Sequence, residues 1–253
     1  MAEIQIKHNI EEVIKSLDAT QKRQVPYALA MALNKTAQRI EAYQVANMRA
    51  IFDRPTPYAL RGLYVRRATK TNWMATVETR WPERLAEKSH FLEPHIFGGA
   101  RELKAFERRL KDKGILPSGM MTVPGNDAAM DSYGNMSRGQ LVKILSYFEA
   151  FSEAGYAANA TAEGKAKLKR GTKKRAGTEY FVLKERRGNM LPGIYQRFYL
   201  AFGAAIKCLL IFVNASATYN QRWAFFDLGR QRANQWLGYD FRESLDEAMT
   251  DGK

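Results

Sequence analysis

The chain predicts an α+β fold, an antiparallel sheet packed against long N- and C-terminal helices with an inserted helical and loop section. Three observations carry this. One long stretch near each end repeats apolar residues at helical spacing. A segment beginning at Leu63 alternates with period two. Three further strand-like runs follow one another late in the chain with no helix between them.

At the N-terminus Ile4 and Ile6 alternate as in a short strand, and Ile10, Val13, Ile14 and Leu17 follow helical spacing. The strongest helix signal comes next. Pro26 stands where a first turn would begin, a place where its missing N–H loses nothing. Leu29, Leu33, Thr36, Ile40 and Tyr43 then step by four and three, among alanines that favour helix and allow a neighbour close approach. The helix must stop near Phe52, because Pro55 and Pro57 push the residues before them out of helical geometry. Leu63, Val65 and Arg67, then Trp73, Ala75, Val77 and Thr79 around Lys70-Thr71-Asn72, read as an antiparallel hairpin.

Residues 82–100 read mostly as loop. A short helix from about Glu102 to Lys113 stops at Gly114. Residues 115–136 are turn-rich, and Ser137 caps a helix carrying Leu141, Ile144, Leu145, Phe148 and Phe151 that ends near Gly155. Residues 161–177 differ in kind: between Lys165 and Arg175 lie seven basic residues in eleven and no acid, which predicts a mobile loop with too little apolar area to order itself. Glu179–Lys184, Gly193–Phe198 and Ile206–Val213 read as strands, the last one buried. A helix from about Asn220 to Met249 completes the chain, with a break or kink expected at Leu237-Gly238. The implied organisation is a core of residues 1–81 and 178–253, an inserted section 82–160, and a basic flexible loop 161–177.

The chain has 253 residues, 40 Lys plus Arg against 26 Asp plus Glu, and a formal net charge of +14. This length fits one large domain or two small ones. A single cysteine excludes an internal disulfide framework and any multi-cysteine zinc site. No apolar run is long enough for a membrane span, and no signal peptide is visible at the N-terminus. The charge points to polyanions or acidic protein surfaces as partners.

Enzymatic chemistry is not indicated. There is no Gly-rich phosphate cradle, no H-E-x-x-H and no G-x-S-x-G. His90, Glu93 and His95 have weak metal-ligand spacing and read better as turn residues; no metal or cofactor is expected. Asp127 and Asp131 could serve a metal-dependent nuclease, but Asp and Asn favour turns. Cys208 sits among Ile206, Leu209 and Leu210, as a structural thiol does. The segment SRGQLVKILSYF lacks the partner helix and short turn of a helix-turn-helix reader. The more serious candidate is the basic segment, Lys165, Lys167, Lys169, Arg170, Lys173, Lys174 and Arg175, with Arg66 and Arg67 on the hairpin, as a contact for nucleic acid or an acidic partner. No aromatic residue lies between Lys165 and Arg175, so base stacking is not suggested there. Met120, Met121, Met130 and Met136 suit either an adaptable contact surface or a loop tucked on the core.

The stretch VPYALAMALNKTAQRIEAYQVANMRAIF, followed by the basic hairpin RGLYVRRATKTNWMATVETR, resembles the start of the lambda-type minor tail protein Z family of tailed bacteriophages. The shared features are a Val-Pro step, an Ala-rich helix with an Asn at the position of Asn34, and basic strands. The closing stretch RWAFFDLGRQRANQWLGYDFRESLDEAM is similar to that family's C-terminal helix with its mid-helix break. The central HIFGGARELKAFERRLKDKGILPSGMMTVPGN and DSYGNMSRGQLVKILSYF depart from the shorter pattern, as an insertion does. The resemblance implies a virion structural protein made in the host bacterial cytoplasm: a tail-completion or head–tail joining subunit that forms a homo-oligomeric ring around the DNA channel. Its partners would be portal, neck and tail proteins, with packaged DNA as a further candidate contact, and no catalytic residues come with it. The competing expectation is a non-specific nucleic-acid binder using the basic segment and hairpin.

Overall fold

The computed structural model describes residues 3–7, 21–79, 91–151, 159–200, 203–214 and 218–251. They form two compact units: residues 1–99 with 219–253, and residues 100–218. The fold class is α+β, with antiparallel sheets and long N- and C-terminal helices that pack on a sheet.

The first unit is built on helix α1, Gln21–Ile51. Its start precedes the proline signal by more than a turn, so Pro26 lies inside the helix, still near its amino end. Its end agrees with the DRPTP stop. Thr56 then caps the short helix α2, Pro57–Leu60, its hydroxyl accepting the Ala59 N–H at 3.1 Å. Strands β1 (Glu3–Lys7), β2 (Leu63–Arg66) and β3 (Met74–Thr79) form an antiparallel sheet in the order β1-β3-β2. Val77 pairs with Ile4 on one side and Val65 on the other. The expected hairpin is therefore present, with the N-terminal segment added to its other edge. The helix expected over Ile10–Leu17 lies outside the described residues.

Helix α3, Glu93–Phe97, occupies part of the section expected as loop. The C-terminal helix, Phe225–Asp251, runs on through Leu237-Gly238 without the expected break. It lies antiparallel to α1: Gln44 donates to the Phe225 carbonyl at 2.8 Å, Arg232 to the Tyr43 hydroxyl at 3.1 Å, and Thr36 to Asp240 at 2.7 Å. Small or polar residues spaced by four, Asp240, Ser244 and Ala248 on this helix and Ala28, Ala32 and Thr36 on α1, are all buried. Of the apolar stripe expected from the sequence, Phe241, Leu245 and Met249, the last is exposed. The core joins Leu33, Ile40 and Met48 of α1 to Ala75 and Val77 of the sheet and to Trp223 and Phe225.

The second unit is a four-stranded antiparallel sheet, β5 (Met120–Pro124), β6 (Gly177–Leu183), β7 (Gly193–Leu200) and β8 (Gly203–Asn214), in the order β5-β8-β7-β6. Here β4 is Gly99–Ala100, where the chain enters this unit, and β9 is Thr218–Tyr219, where it leaves. Two expectations are corrected here. The strands after residue 177 belong to this unit, not to a sheet shared with the N-terminal hairpin. The turn-rich stretch 115–136 contributes β5, which the sequence hid because only five residues pair with β8. Strand β8 is buried at Leu209, Leu210 and Phe212, but its first half is exposed, unlike the fully buried strand expected.

Helices α4 (Ala105–Asp112) and α5 (Arg138–Tyr147) supply Leu110, Ile144 and Leu145 to this core beside Ile194, Leu209 and Phe212. α5 stops at Tyr147, short of Gly155, with Glu149 at φ 54° after it. Glu107 of α4 is fully buried. It accepts a two-pronged contact from Arg101 at 2.7 and 2.8 Å, the Lys104 N–H at 2.6 Å, and the Thr122 N–H and hydroxyl at 2.8 and 2.9 Å. Burial alone raises a carboxyl, but these donors outweigh it and lower Glu107 from 4.5 to about 2.

Gly238 is exposed and a Cβ there meets nothing within 4 Å, so Gly238→Ala should stabilise the first unit by about 0.5–1 kcal/mol. Tryptophan-detected urea unfolding checks this, since the described tryptophans, Trp73, Trp223 and Trp236, all belong to that unit; a loss of stability refutes the continuous helix. The depressed Glu107 carboxyl contributes stability that is complete above its unfolded value of 4.5 and disappears as pH falls toward 2, about 3 kcal/mol in all. Amide exchange along β5 should show that loss, and Glu107→Gln should abolish its pH dependence while weakening protection at neutral pH.

Candidate functional site

The basic segment is ordered. Helix α6 spans Ala162–Arg170. Thr161 caps it, its hydroxyl accepting the Gly164 N–H at 3.1 Å. Glu163 occupies the first turn and Lys167, Lys169 and Arg170 the last, so the charges complement the helix dipole at both ends. Ala, Lys, Leu and Arg are also strong helix formers. Gly171 ends it with φ 71°, and Thr172 and Arg175 bridge through N–H···O bonds of 2.8 and 3.1 Å, leaving Lys173 and Lys174 at an exposed turn. The helix then docks through backbone. A Cβ on Gly177 would lie 2.0 Å from the Lys169 carbonyl oxygen, an approach only glycine permits. The expected mobile loop is corrected to a capped helix and a tight turn, because its order comes from caps and backbone contact more than from apolar area.

Three of the seven basic residues have acidic partners. Lys165 bonds Glu149 at 2.5 Å, Lys167 bonds Glu163 at 2.9 Å, and Lys169 bonds Glu179 at 3.2 Å. Hydrogen bonding from Lys165 lowers the Glu149 carboxyl, and the bond Lys169 donates to Glu179 raises Lys169. Arg170, Lys173, Lys174 and Arg175 are exposed and have no acidic partner among the described residues. Arg66, in the first unit, bonds Glu78 at 3.2 Å. Glu78 is buried, which raises it, yet donors from Thr76, Tyr64 and Arg66 hold it below the ordinary carboxylate range. Arg67 is exposed beside it. The seven residues of the basic segment make one basic feature, in the second unit, and Arg66 and Arg67 make another, in the first.

The first of these borders a groove of about 550 Å³. The register places Thr178 opposite Phe198 and Tyr180 opposite Gln196, all on one face of β6 and β7, as its floor. Lys143, Ser146 and Tyr147, spaced by three and four, line it from α5, and Lys167, Leu168 and Arg175 from the basic segment. Among the described residues no Asp or Glu lines it. Tyr147 and Tyr180 pack with ring centroids 5.0 Å apart, and burial raises both hydroxyls. Gln196 donates to the Tyr180 hydroxyl at 3.4 Å. The groove thus joins three cations, three aromatic rings and an amide. The sequence concealed it: the aromatic residues absent between Lys165 and Arg175 arrive from Tyr147, Tyr180 and Phe198, on three other elements.

The remaining candidates have structural roles. Asp127 accepts the Cys208 N–H at 2.9 Å and donates its own N–H to the Cys208 carbonyl at 3.0 Å, beside the bulge where Ile194 pairs with Leu210 and Tyr195 with Cys208. Asp131 accepts the N–H groups of Tyr133 and Asn135, both at 2.9 Å, in a tight turn. Burial raises the Cys208 thiol, the wrong direction for a nucleophile. His95 packs on Phe52, ring centroids 4.9 Å apart, and burial lowers it; its sequence companion His90 lies outside the described residues. Among the described residues no three His, Cys, Asp or Glu side chains gather as metal ligands, and no helix is long and apolar enough to cross a membrane. Met120 and Met136 pack on the second core, Met121 is buried, and Met130 is exposed.

Asp127→Ala should destabilise the second unit by about 1–2 kcal/mol by leaving the Cys208 N–H without its charged acceptor. Thermal unfolding and amide exchange at Cys208 measure this; unchanged protection there refutes the role. No protein-family model, no curated protein and no solved structure matches the chain.

Proposed function

We propose that the chain is a non-enzymatic structural subunit of a tailed-bacteriophage virion, a tail-completion or head–tail joining protein that acts by assembling as a ring around the DNA channel. One observation carries the reading. The three segments that resemble the minor tail protein Z family, residues 25–52, 61–80 and 222–249, all belong to the first compact unit, while most of the departing central sequence belongs to the second. A joining module interrupted by an inserted unit accounts for that division. The polar contacts within the first unit are consistent with it: Asn34, the residue shared with the family pattern, accepts the Ala68 N–H at 2.7 Å and donates to the Ala68 carbonyl at 3.1 Å, tying α1 to the basic hairpin. Closed rings of identical subunits need complementary surfaces and no active site.

A second reading, non-specific nucleic-acid binding, is favoured by the exposed Arg170, Lys173, Lys174 and Arg175, which lack acidic partners among the described residues. One pair of measurements separates the two. Mixed with portal, neck and tail proteins of a tailed phage, the chain should enter a particle whose native mass is a whole multiple of its own, and a persistent monomer overturns the ring. Changing those four residues to glutamine should leave assembly intact on the first reading. On the second it should weaken DNA binding and flatten its salt dependence by about 0.9 for each phosphate no longer neutralised.

A further inference from the structure

The groove of the second unit has a chemistry that ring assembly does not require. Its volume, about 550 Å³, is that of a small-molecule site. Lys143, Lys167 and Arg175 line it, and no carboxylate does among the described residues. Of these, Lys143 and Arg175 have no acidic partner among the described residues, and Lys167 is held only by an exposed pair with Glu163, which water and salt weaken. The same space is lined by Tyr147, Tyr180 and Phe198, and Gln196 offers an amide between two of those rings. A free inorganic anion needs only the cations. An acidic peptide has no use for several aromatic rings in a compact hollow. A planar base carrying a phosphate uses all three features: rings to stack on, an amide to meet its polar edge, and cations for its charge.

We propose that this groove binds a nucleoside phosphate, with Phe198 and Tyr147 as stacking surfaces, Gln196 facing the base edge, and Lys143, Lys167 and Arg175 holding the phosphate. The shared ligand chemistry is that of a free nucleotide or of one unit in a single strand. Binding here is independent of the ring, since the groove belongs to the second unit and is read on the isolated chain.

The test uses the full chain with two probes, dTMP and a fluorescein-labelled ten-residue oligo-dT, followed by fluorescence anisotropy and by NMR of the Gln196 side-chain amide and the Phe198 ring. Shifts with both probes support a free-nucleotide site, and shifts with oligo-dT alone support capture of a strand. Phe198→Leu should weaken binding by at least about five-fold, the loss of one stacked base, and leave the affinity for an equally charged duplex unchanged. Lys143→Glu combined with Arg175→Glu should lower the salt slope for oligo-dT by about 1.4, which is ~0.7 for each phosphate. Should the Phe198 variant lose its fold by circular dichroism, the wild-type shifts at Gln196 decide alone. The proposal is overturned if neither probe moves the groove resonances, if Phe198→Leu binds oligo-dT as tightly as wild type, or if a Glu-rich peptide displaces oligo-dT as effectively as unlabelled oligo-dT does.

Discussion

A carboxylate removed from water must have its charge met by donors, and this requirement organises both units. Asp240 is fully buried between α1 and the C-terminal helix, where Thr36 and Arg39 reach it at 2.7 and 2.5 Å. Neither helix can slide by a turn without stranding that charge, so the pair fixes their register. Around it the contact is lined by alanine, serine and threonine, which bring the backbones close but specify position poorly. Lys35 with Glu243, and Arg39 and Arg232 stacked on Trp236 at 4.5 and 5.6 Å, extend the same seam toward solvent. In the second unit Glu107 plays the corresponding part, joining α4 to β5 through Thr122. In the sheet of the first unit Glu78 is held by Thr76 and by Tyr64 of the neighbouring strand.

The legible part of the fold was the part written in periodic apolar residues. Leu29, Leu33 and Ile40 announced α1, and the alternation around Val65 and Val77 announced the hairpin; all five pack in or against one core. What escaped was specified by single polar atoms or by missing ones. Thr161, Glu163, Gly171 and Gly177 together order α6, and none of them contributes to an apolar count. The continuity of the C-terminal helix through Gly238 rests on Asp240 and Ser244, which a hydrophobic stripe passes over. The division into units escaped for a related reason: strand periodicity says which face is buried but not which sheet a strand joins.

The candidate site was half visible in the same sense. Charge runs are local in sequence, so Lys165 to Arg175 stood out. The groove needs residues separated by more than fifty positions, Lys143 to Phe198, and only the antiparallel register of β6 and β7 brings Tyr180, Gln196 and Phe198 to one face. Conversely, proximity in sequence overstated the charge available. Lys165, Lys167 and Lys169 each meet a glutamate, so the segment's free charge is concentrated at its carboxyl end, from Arg170 to Arg175.

On the proposed reading, that asymmetry divides the work between the two units. The first unit uses its buried polar groups to hold two long helices in register, the property a subunit needs if its surfaces are to repeat faithfully around a ring. The second binds its helices to its sheet through Glu107 and through backbone approach at Gly177, and so leaves side chains free along a groove. A unit built this way can vary its exposed cations and rings without changing the Asp240 network, because among the described residues the two cores share none. The proposed assembly and the proposed ligand recognition are therefore separable by mutation: changes at Lys143 or Arg175 address the groove, and changes at Thr36 or Asp240 address the helix pair.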